Sequence, residues 1–311
     1  MAVSDNPSFR ALKRSGRGRY LKIGPFVFFV STDIAPLAAS IELLYEGFPV
    51  WPDSSDQFAD FHVGVHWRSR LRRFVRPQAI FELDGIHPFL PLAAGQALLM
   101  LEGGMNWTIA AHTPFFLVLH AGVVERNGRA IVLPAPPGSG KSTLCAVLIQ
   151  RGWRLLSDEL ALLSFEAGTL SALARPISLK NESIDIIQRR APGSVMTAPI
   201  SDTVKGNVAY LKPPRESVAR IAEPALPALV VIPKYLRDGP GALIEPKSKP
   251  ETFKELADSA YNFGLFGRRG FEALANLVDR CACYDLRFNN LDEAIAVCET
   301  AFGETVSRTV A

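Results

Sequence analysis

Apolar and polar positions recur along this chain with two periods, and the switches between them mark its elements. Gly24–Val30 is a short apolar run of strand length. From Asp33 to Phe48 the apolar residues Ile34, Leu37, Ala38, Ile41, Leu44 and Tyr45 return to one face, which predicts a helix. Phe61, Val63, Val65 and Trp67 alternate with His62, Gly64 and His66, the period of a half-buried strand. Ala79, Phe81 and Leu83 repeat it over Gln78–Asp84, and Asp84-Gly85 signals a turn. A helical pattern over Ala93–Ala111 leads into a strand, Phe115–Glu125. Asn127-Gly128 then predicts a tight hairpin into Ala130–Pro134.

Beyond residue 140 the pattern is mostly helix and strand in turn. Ser142–Arg151 is expected to be helical and to stop at Gly152, followed by one strand over Arg154–Ser164. Arg175–Lys180 is extended, and Asn181 is placed to cap a helix running to about Arg190. Val208–Leu211 is extended before the loop residues Pro213-Pro214, and Ala228–Pro233 is an apolar strand. Helices are predicted over Thr252–Ser259 and Gly270–Arg280. Tyr284, Leu286 and Phe288 alternate as a strand, and Asn290 with Glu293 starts a last helix in a capping-box arrangement. The expected fold class is α/β. An N-terminal α+β module over 23–110 precedes a second domain over 111–311, with a disordered basic tail over 1–22.

Composition sharpens this only slightly. Hydrophobic residues make up 48% of 311 and charged residues 21%, which excludes a largely disordered chain. A net charge of +3 is too small to imply nucleic acid, although Arg10, Lys13, Arg14, Arg17, Arg19 and Lys22 crowd into the tail. No apolar stretch is long enough to span a bilayer, since Phe89–Leu101 is broken by Pro91, Gly95 and Gln96. Cys145, Cys281, Cys283 and Cys298 lack metal-ligand spacing and read as buried reduced thiols. His62 and His66 share a strand face but stand roughly 13 Å apart along it, too far to share a metal. A cytoplasmic location is expected.

The chemistry begins at Ala135-Pro136-Pro137-Gly138-Ser139-Gly140-Lys141-Ser142-Thr143. Apart from Ala135 in place of the first glycine, this is the phosphate-binding pattern Gly-x-x-x-x-Gly-Lys-Ser/Thr, set between a strand and a helix. Gly138, Ser139 and Gly140 would curl the backbone into a nest of N–H donors. Lys141 would meet the β- and γ-phosphates, Ser142 would ligate Mg²⁺, and Thr143 would follow at the helix start. ATP with Mg²⁺ is therefore the expected ligand. The two prolines stiffen the approach to the loop. Asp158 and Glu159 end an apolar strand seventeen positions beyond Lys141, where a metal carboxylate or catalytic base would sit. Both acids reach one site only if the strand turns there.

His120-Ala121-Gly122-Val123-Val124, the loop, and Arg151-Gly152-Trp153-Arg154-Leu155-Leu156-Ser157-Asp158-Glu159 together resemble the HPr kinase/phosphorylase family. Phe58-Ala59-Asp60-Phe61-His62-Val63, Arg175–Asn181, Lys205-Gly206-Asn207-Val208-Ala209 and Leu211-Lys212-Pro213-Pro214 are similar to the HprK-related kinase A group of bacteria. That second resemblance covers most of the chain. It implies a P-loop kinase core of the HPr kinase and phosphoenolpyruvate carboxykinase type, in an exosortase and surface-polysaccharide setting. It also implies Asp158 as the base for the acceptor hydroxyl, Glu159 as a metal or positioning carboxylate, and His120 under the catalytic acid as its orienter. Lys180 and Arg175 are candidate cations for phosphate or substrate, and Lys205 and Arg215 lie in later loops. The family's phosphorylase signature is absent, with Glu182-Ser183-Ile184-Asp185-Ile186-Ile187 in that region.

The reading that follows is a kinase acting on a hydroxyl, of a protein serine or of a small molecule. A module that binds ATP without transferring phosphate is the alternative from another class. The acceptor is not specified by the sequence, and the family's oligomers leave a homo-oligomer open.

Overall fold

The computed structural model describes residues 18–69, 75–136, 138–239 and 241–310. Arg10, Lys13, Arg14 and Arg17 of the basic run, and Pro137 of the loop, lie outside the described residues. Arg19 and Lys22 belong to no tail. They sit on strand β1 (Arg19–Ile23), which buries alternate residues and pairs with β2 (Phe26–Thr32). The turn between them needs Gly24, whose φ is +59°; a Cβ there would stand 2.2 Å from the carbonyl oxygen of Ala172.

The N-terminal part continues with α1 (Ala35–Leu44), β3 (Val50–Pro52), β4 (Phe61–Trp67), β5 (Gln78–Leu83), β6 (Leu92–Ala93) and α2 (Ala97–His112). Its six strands form one sheet in the order β3-β1-β2-β4-β5-β6, with β2 and β4 parallel. Phe28, Ile41, Leu44, Phe81, Leu101 and Met105 fill the space between this sheet and the two helices. That core does not stop near residue 110. It also takes in Leu160, Leu162, Leu173, Val208 and Tyr210 from the rest of the chain, so packing joins the two parts.

The second part comprises β7 (Phe116–Arg126), β8 (Arg129–Pro134), α3 (Lys141–Gln150), β9 (Arg154–Ser157), β10 (Leu160–Ser164), β11 (Leu170–Ser171), β12 (Ile177–Lys180), α4 (Glu182–Arg190), β13 (Ile200–Thr203) and β14 (Gly206–Leu211). After these come α5 (Arg215–Ala219), β15 (Leu226–Tyr235), β16 (Ala242–Pro246), α6 (Lys249–Ser259), α7 (Gly267–Arg280), β17 (Ala282–Phe288) and α8 (Leu291–Val310). The architecture is mixed α/β, as the periodicity implied. Eight strands form a sheet in the order β11-β10-β7-β8-β15-β17-β16, with β9 beside β7. β12, β14 and β13 form a small third sheet.

Both faces of the large sheet are covered, which is why its strands carry near-continuous apolar runs. Ile131, Leu133, Leu229 and Val231 pack towards α3, α4 and α8. Ala130, Val132, Val230 and Ile232 pack towards α6 and α7. β8, β15 and β17 run parallel, so their carboxyl ends open on the same edge. The stretch expected as one strand over 154–164 is two: β9 and β10 both pair with β7, and the chain bends between them at Asp158-Glu159. Among the described residues no helix is long and apolar enough to cross a membrane.

Candidate functional site

The loop after β8 takes its shape from its glycines. Gly138 and Gly140 have φ of +89° and +88°, the left-handed region where a side chain is strained. Gly140 is also short of space, because a Cβ there would stand 2.8 Å from Cζ of Phe288. It is the residue that opens α3, so Lys141, Ser142 and Thr143 form the first turn and their free N–H groups point out of the helix. This turn lines a cleft of about 580 Å³ together with His120, Glu159, Lys180 and Lys205.

The bend between β9 and β10 sends the two acids to different places. Glu159 faces the cleft, and Nε2 of His120 lies 3.3 Å from its Oε1. Its own backbone is pinned by Ala121 N–H to the Glu159 carbonyl at 3.2 Å, and Ser157 Oγ accepts from the N–H of Leu160 at 2.9 Å. Asp158 is buried, and its Oδ2 accepts from the N–H of Ser178 at 3.1 Å. The expected pairing of His120 with the buried acid is thus corrected: His120 orients Glu159. β7 brings His120 opposite Leu160 in the pairing register, so the ring falls beside the bend rather than behind it.

Burial and charge separate the two carboxyls further. Burial pushes the Asp158 pKa up, against the pull of Lys141, and the neighbouring Glu159 charge adds to the rise. Burial also opposes ionisation of Glu159, but the His120 hydrogen bond with the charges of Lys141 and Lys180 overcomes it and holds the pKa down at about 2. One acid is therefore poised to take a proton and the other to stay charged.

Three polar atoms here have no hydrogen-bond partner: Nζ of Lys141, Oγ of Ser139 and Oδ1 of Asp158. Six such buried side-chain atoms occur among the described residues, and half of them belong to the phosphate loop, the helix start and the Asp158 bend. An unsatisfied buried donor or acceptor costs ~1–3 kcal/mol, and a charged one more. A concentration of them fits a site built for a charged ligand better than it fits a packed core.

The other expected cations divide. Lys180, on β12, and Lys205, in the turn from β13 to β14, both line the cleft. Arg175 does not. Its guanidinium donates to Glu102 Oε2 at 2.6 Å and to the Glu102 carbonyl at 3.1 Å, and also to Asn106, so its charge is spent holding α2. Burial works against its charge, yet Tyr45 and Glu102 more than compensate and push its pKa up. Arg215 is exposed at the start of α5 and also lies away from the cleft. Asn181 precedes α4 without capping it. At φ +48° it turns its amide to the lysine turn, accepting from Asn207 N–H at 3.0 Å and donating to the Lys205 carbonyl at 3.4 Å.

His62 and His66 have separate partners, Asp84 at 3.3 Å and Asp33 at 3.5 Å. All four cysteines are free and buried. Ser183, Ile186, Tyr235, Phe288 and Leu291 complete the cleft, and the sequence reading assigned none of them a site role. Thr143 Oγ1 and Ser183 Oγ are 2.7 Å apart, tying α3 to α4. The available signal was positional, since Tyr235 and Phe288 are the last residues of two neighbouring parallel strands.

A second, smaller cavity of about 60 Å³ lies on the other side of the acids. It shares Glu159, Ser178, Lys180 and Lys205 with the cleft and is closed by Asp158, Arg175 and Tyr210. Among the described residues no three His, Cys, Asp or Glu side chains are grouped to hold a metal by themselves. A hard cation that needs one or two carboxylates and a hydroxyl, with phosphate oxygens supplying the rest, suits Ser142 with Glu159 or Asp158. No protein-family model matches the chain, and no curated protein matches it significantly.

Proposed function

We propose that this chain is an ATP-dependent phosphotransferase that moves the γ-phosphoryl group to a hydroxyl, with a protein serine as the acceptor. The observation that carries the reading is that the Lys141 ammonium, which has no hydrogen-bond partner, acts on the buried Asp158 carboxyl, whose Oδ1 has none either, at the start of α3. The sequence resemblance to HprK-related kinases agrees with it, and extends it to a core of the HPr kinase and carboxykinase type, in the bacterial cytoplasm and the setting of surface-polysaccharide export.

In this reading the nest at Gly138–Ser142 and the start of α3 bind the β- and γ-phosphates, and Lys141 neutralises their charge. Mg²⁺, when bound, would offset the negative charge of the phosphates. Ser142 and Glu159 would hold it, with His120 fixing the Glu159 carboxylate. The acceptor hydroxyl enters from the smaller cavity, which has room for a hydroxymethyl group. Its oxygen bonds to the γ-phosphorus as the bond to the β-phosphate oxygen breaks, its proton passes to Asp158, and ADP leaves. Lys180 and Lys205 cover the oxygens of the group in transit. The raised Asp158 pKa suits a proton acceptor, and the depressed Glu159 pKa suits a group that must stay anionic.

The test is transfer of label from γ-labelled ATP to the protein and the metabolite fractions of a native lysate. Labelled protein is expected, and Asp158→Asn should lower transfer by ~10²–10⁴-fold while ATP affinity stays within a few-fold. Label in metabolites alone would make the chain a small-molecule kinase. ATP binding with no transfer to either fraction would leave a regulatory module and sink the proposal.

A further inference from the structure

The cleft is lined by more than the phosphate loop and its charged neighbours, and part of its wall has a different character. Past the phosphate loop the lining changes from lysines and carboxylates to Tyr235, Phe288, Leu291 and Ile186. These side chains arrive from four elements. Tyr235 and Phe288 end the adjacent parallel strands β15 and β17, Leu291 opens α8, and Ile186 projects from α4 on the facing wall. In open α/β sheets this edge, at the carboxyl ends of parallel strands, is where ligands bind.

Tyr235 is the unusual member. Its backbone is fixed to the phosphate loop, with its N–H donating to the Ser139 carbonyl at 3.0 Å. Its ring leans on Phe288, with centroids 5.8 Å apart and planes at 66°, while Phe288 itself is buried under Gly140. Yet Tyr235 remains 41% exposed. A rigid aromatic face is thus held open beside a phosphate nest. At the rim the two walls are bridged by Arg237 and Glu182, 3.0 Å apart.

We propose that Tyr235 is the stacking platform for the base of a nucleoside triphosphate, with Phe288 behind it and Ile186 and Leu291 closing the apolar slot. This deepens the phosphotransferase reading and rests on its claim that the loop binds a triphosphate. The ligand class it assigns is a nucleotide, bound through its base as well as its phosphates, rather than a bare polyphosphate. An apolar slot of this kind grips any planar base by its face, so ATP should bind through ring contact more than through polar recognition of its edge.

Calorimetry on the full chain tests this with two probes, ATP and inorganic tripolyphosphate, each with Mg²⁺. Wild type should bind ATP on the order of tenfold or more tightly than tripolyphosphate, as expected for one base–aromatic stack. Tyr235→Ala should remove most of that advantage and leave tripolyphosphate affinity unchanged, and Tyr235→Phe should keep it. Because the ring is exposed, the variant should fold, which its melting curve will check. ATP affinity unchanged in Tyr235→Ala, or an equal loss for both probes, overturns the stacking assignment alone. Failure of wild type to bind either probe overturns the phosphate-loop reading and this subsite with it.

Discussion

Two buried charge clusters lie on either side of the small cavity, and they are built differently. Around Arg175 every charge is answered: Glu102 takes two of its donors, Asn106 another, and Tyr45 donates to Glu102 Oε1 at 2.8 Å. Around Lys141 the charges are left open, with Nζ and the Asp158 Oδ1 both lacking partners. Saturation is what a scaffold needs, because a buried charge without a partner is costly. A site needs the reverse, since groups already satisfied have nothing left to offer a ligand. The same residue types in the same stretch of chain therefore do different work. Arg175 fastens the N-terminal helices to the segment that carries Ser178, whose N–H holds Asp158.

The largest expected effect breaks the saturated cluster. Arg175→Met leaves Glu102 buried without its cation and should cost about 3–5 kcal/mol of stability in denaturant unfolding. Adding Glu102→Met should restore much of that loss, because an apolar pair needs no partner. A loss as large in the double variant as in Arg175→Met would contradict the account.

The open cluster should behave in the opposite sense. Asp158→Asn removes a buried charge whose pKa burial has raised, and a raised carboxyl pKa is a stability cost at every pH above its ordinary value. The variant's melting temperature without ligand at neutral pH should therefore rise, by a few degrees for about 1 kcal/mol. A fall would mean that Asp158 supports the fold as Arg175 does.

The smallest effect belongs to Glu159. Its folded pKa of about 2 lies below the ordinary 4.5, so its ionisation stabilises the fold fully above the ordinary value and less as pH falls towards the folded one. In metal-free protein, the stability advantage of wild type over Glu159→Gln should shrink between about pH 5 and about pH 3. An advantage that is flat across that range would disconnect Glu159 from His120 and the lysines.

How much of this was legible in the sequence depended on how local each cause was. The phosphate loop is local: glycines, lysine and helix start are contiguous, and the left-handed φ at Gly138 and Gly140 matches what those residues permit. The bend at Asp158-Glu159 was not expected, because the apolar run over 154–164 reads as one strand; a turn there was only the condition for both acids to reach one site. β1 was hidden because Arg19 and Lys22 read as tail charge, although Leu21 and Ile23 fall on its buried alternation. The fate of Arg175 was not readable, since its partner Glu102 is 73 residues away in the chain. Asn181 looked like a cap by residue type, but its amide is taken by Asn207 and Lys205 across the small sheet. Tyr235 carried no motif, and only the parallel pairing of β15 and β17 brings it beside the loop.

The central claim is that the unanswered charge at the start of α3 is kept for a triphosphate. It is tested most directly by titrating ATP with Mg²⁺ into wild type and into Lys141→Met, with folding checked in parallel. The account predicts saturable binding to wild type and an affinity about a hundredfold or more lower in the variant, the worth of one or two charge-assisted hydrogen bonds. Equal affinity in the two proteins, or no binding to a folded wild type, would contradict it.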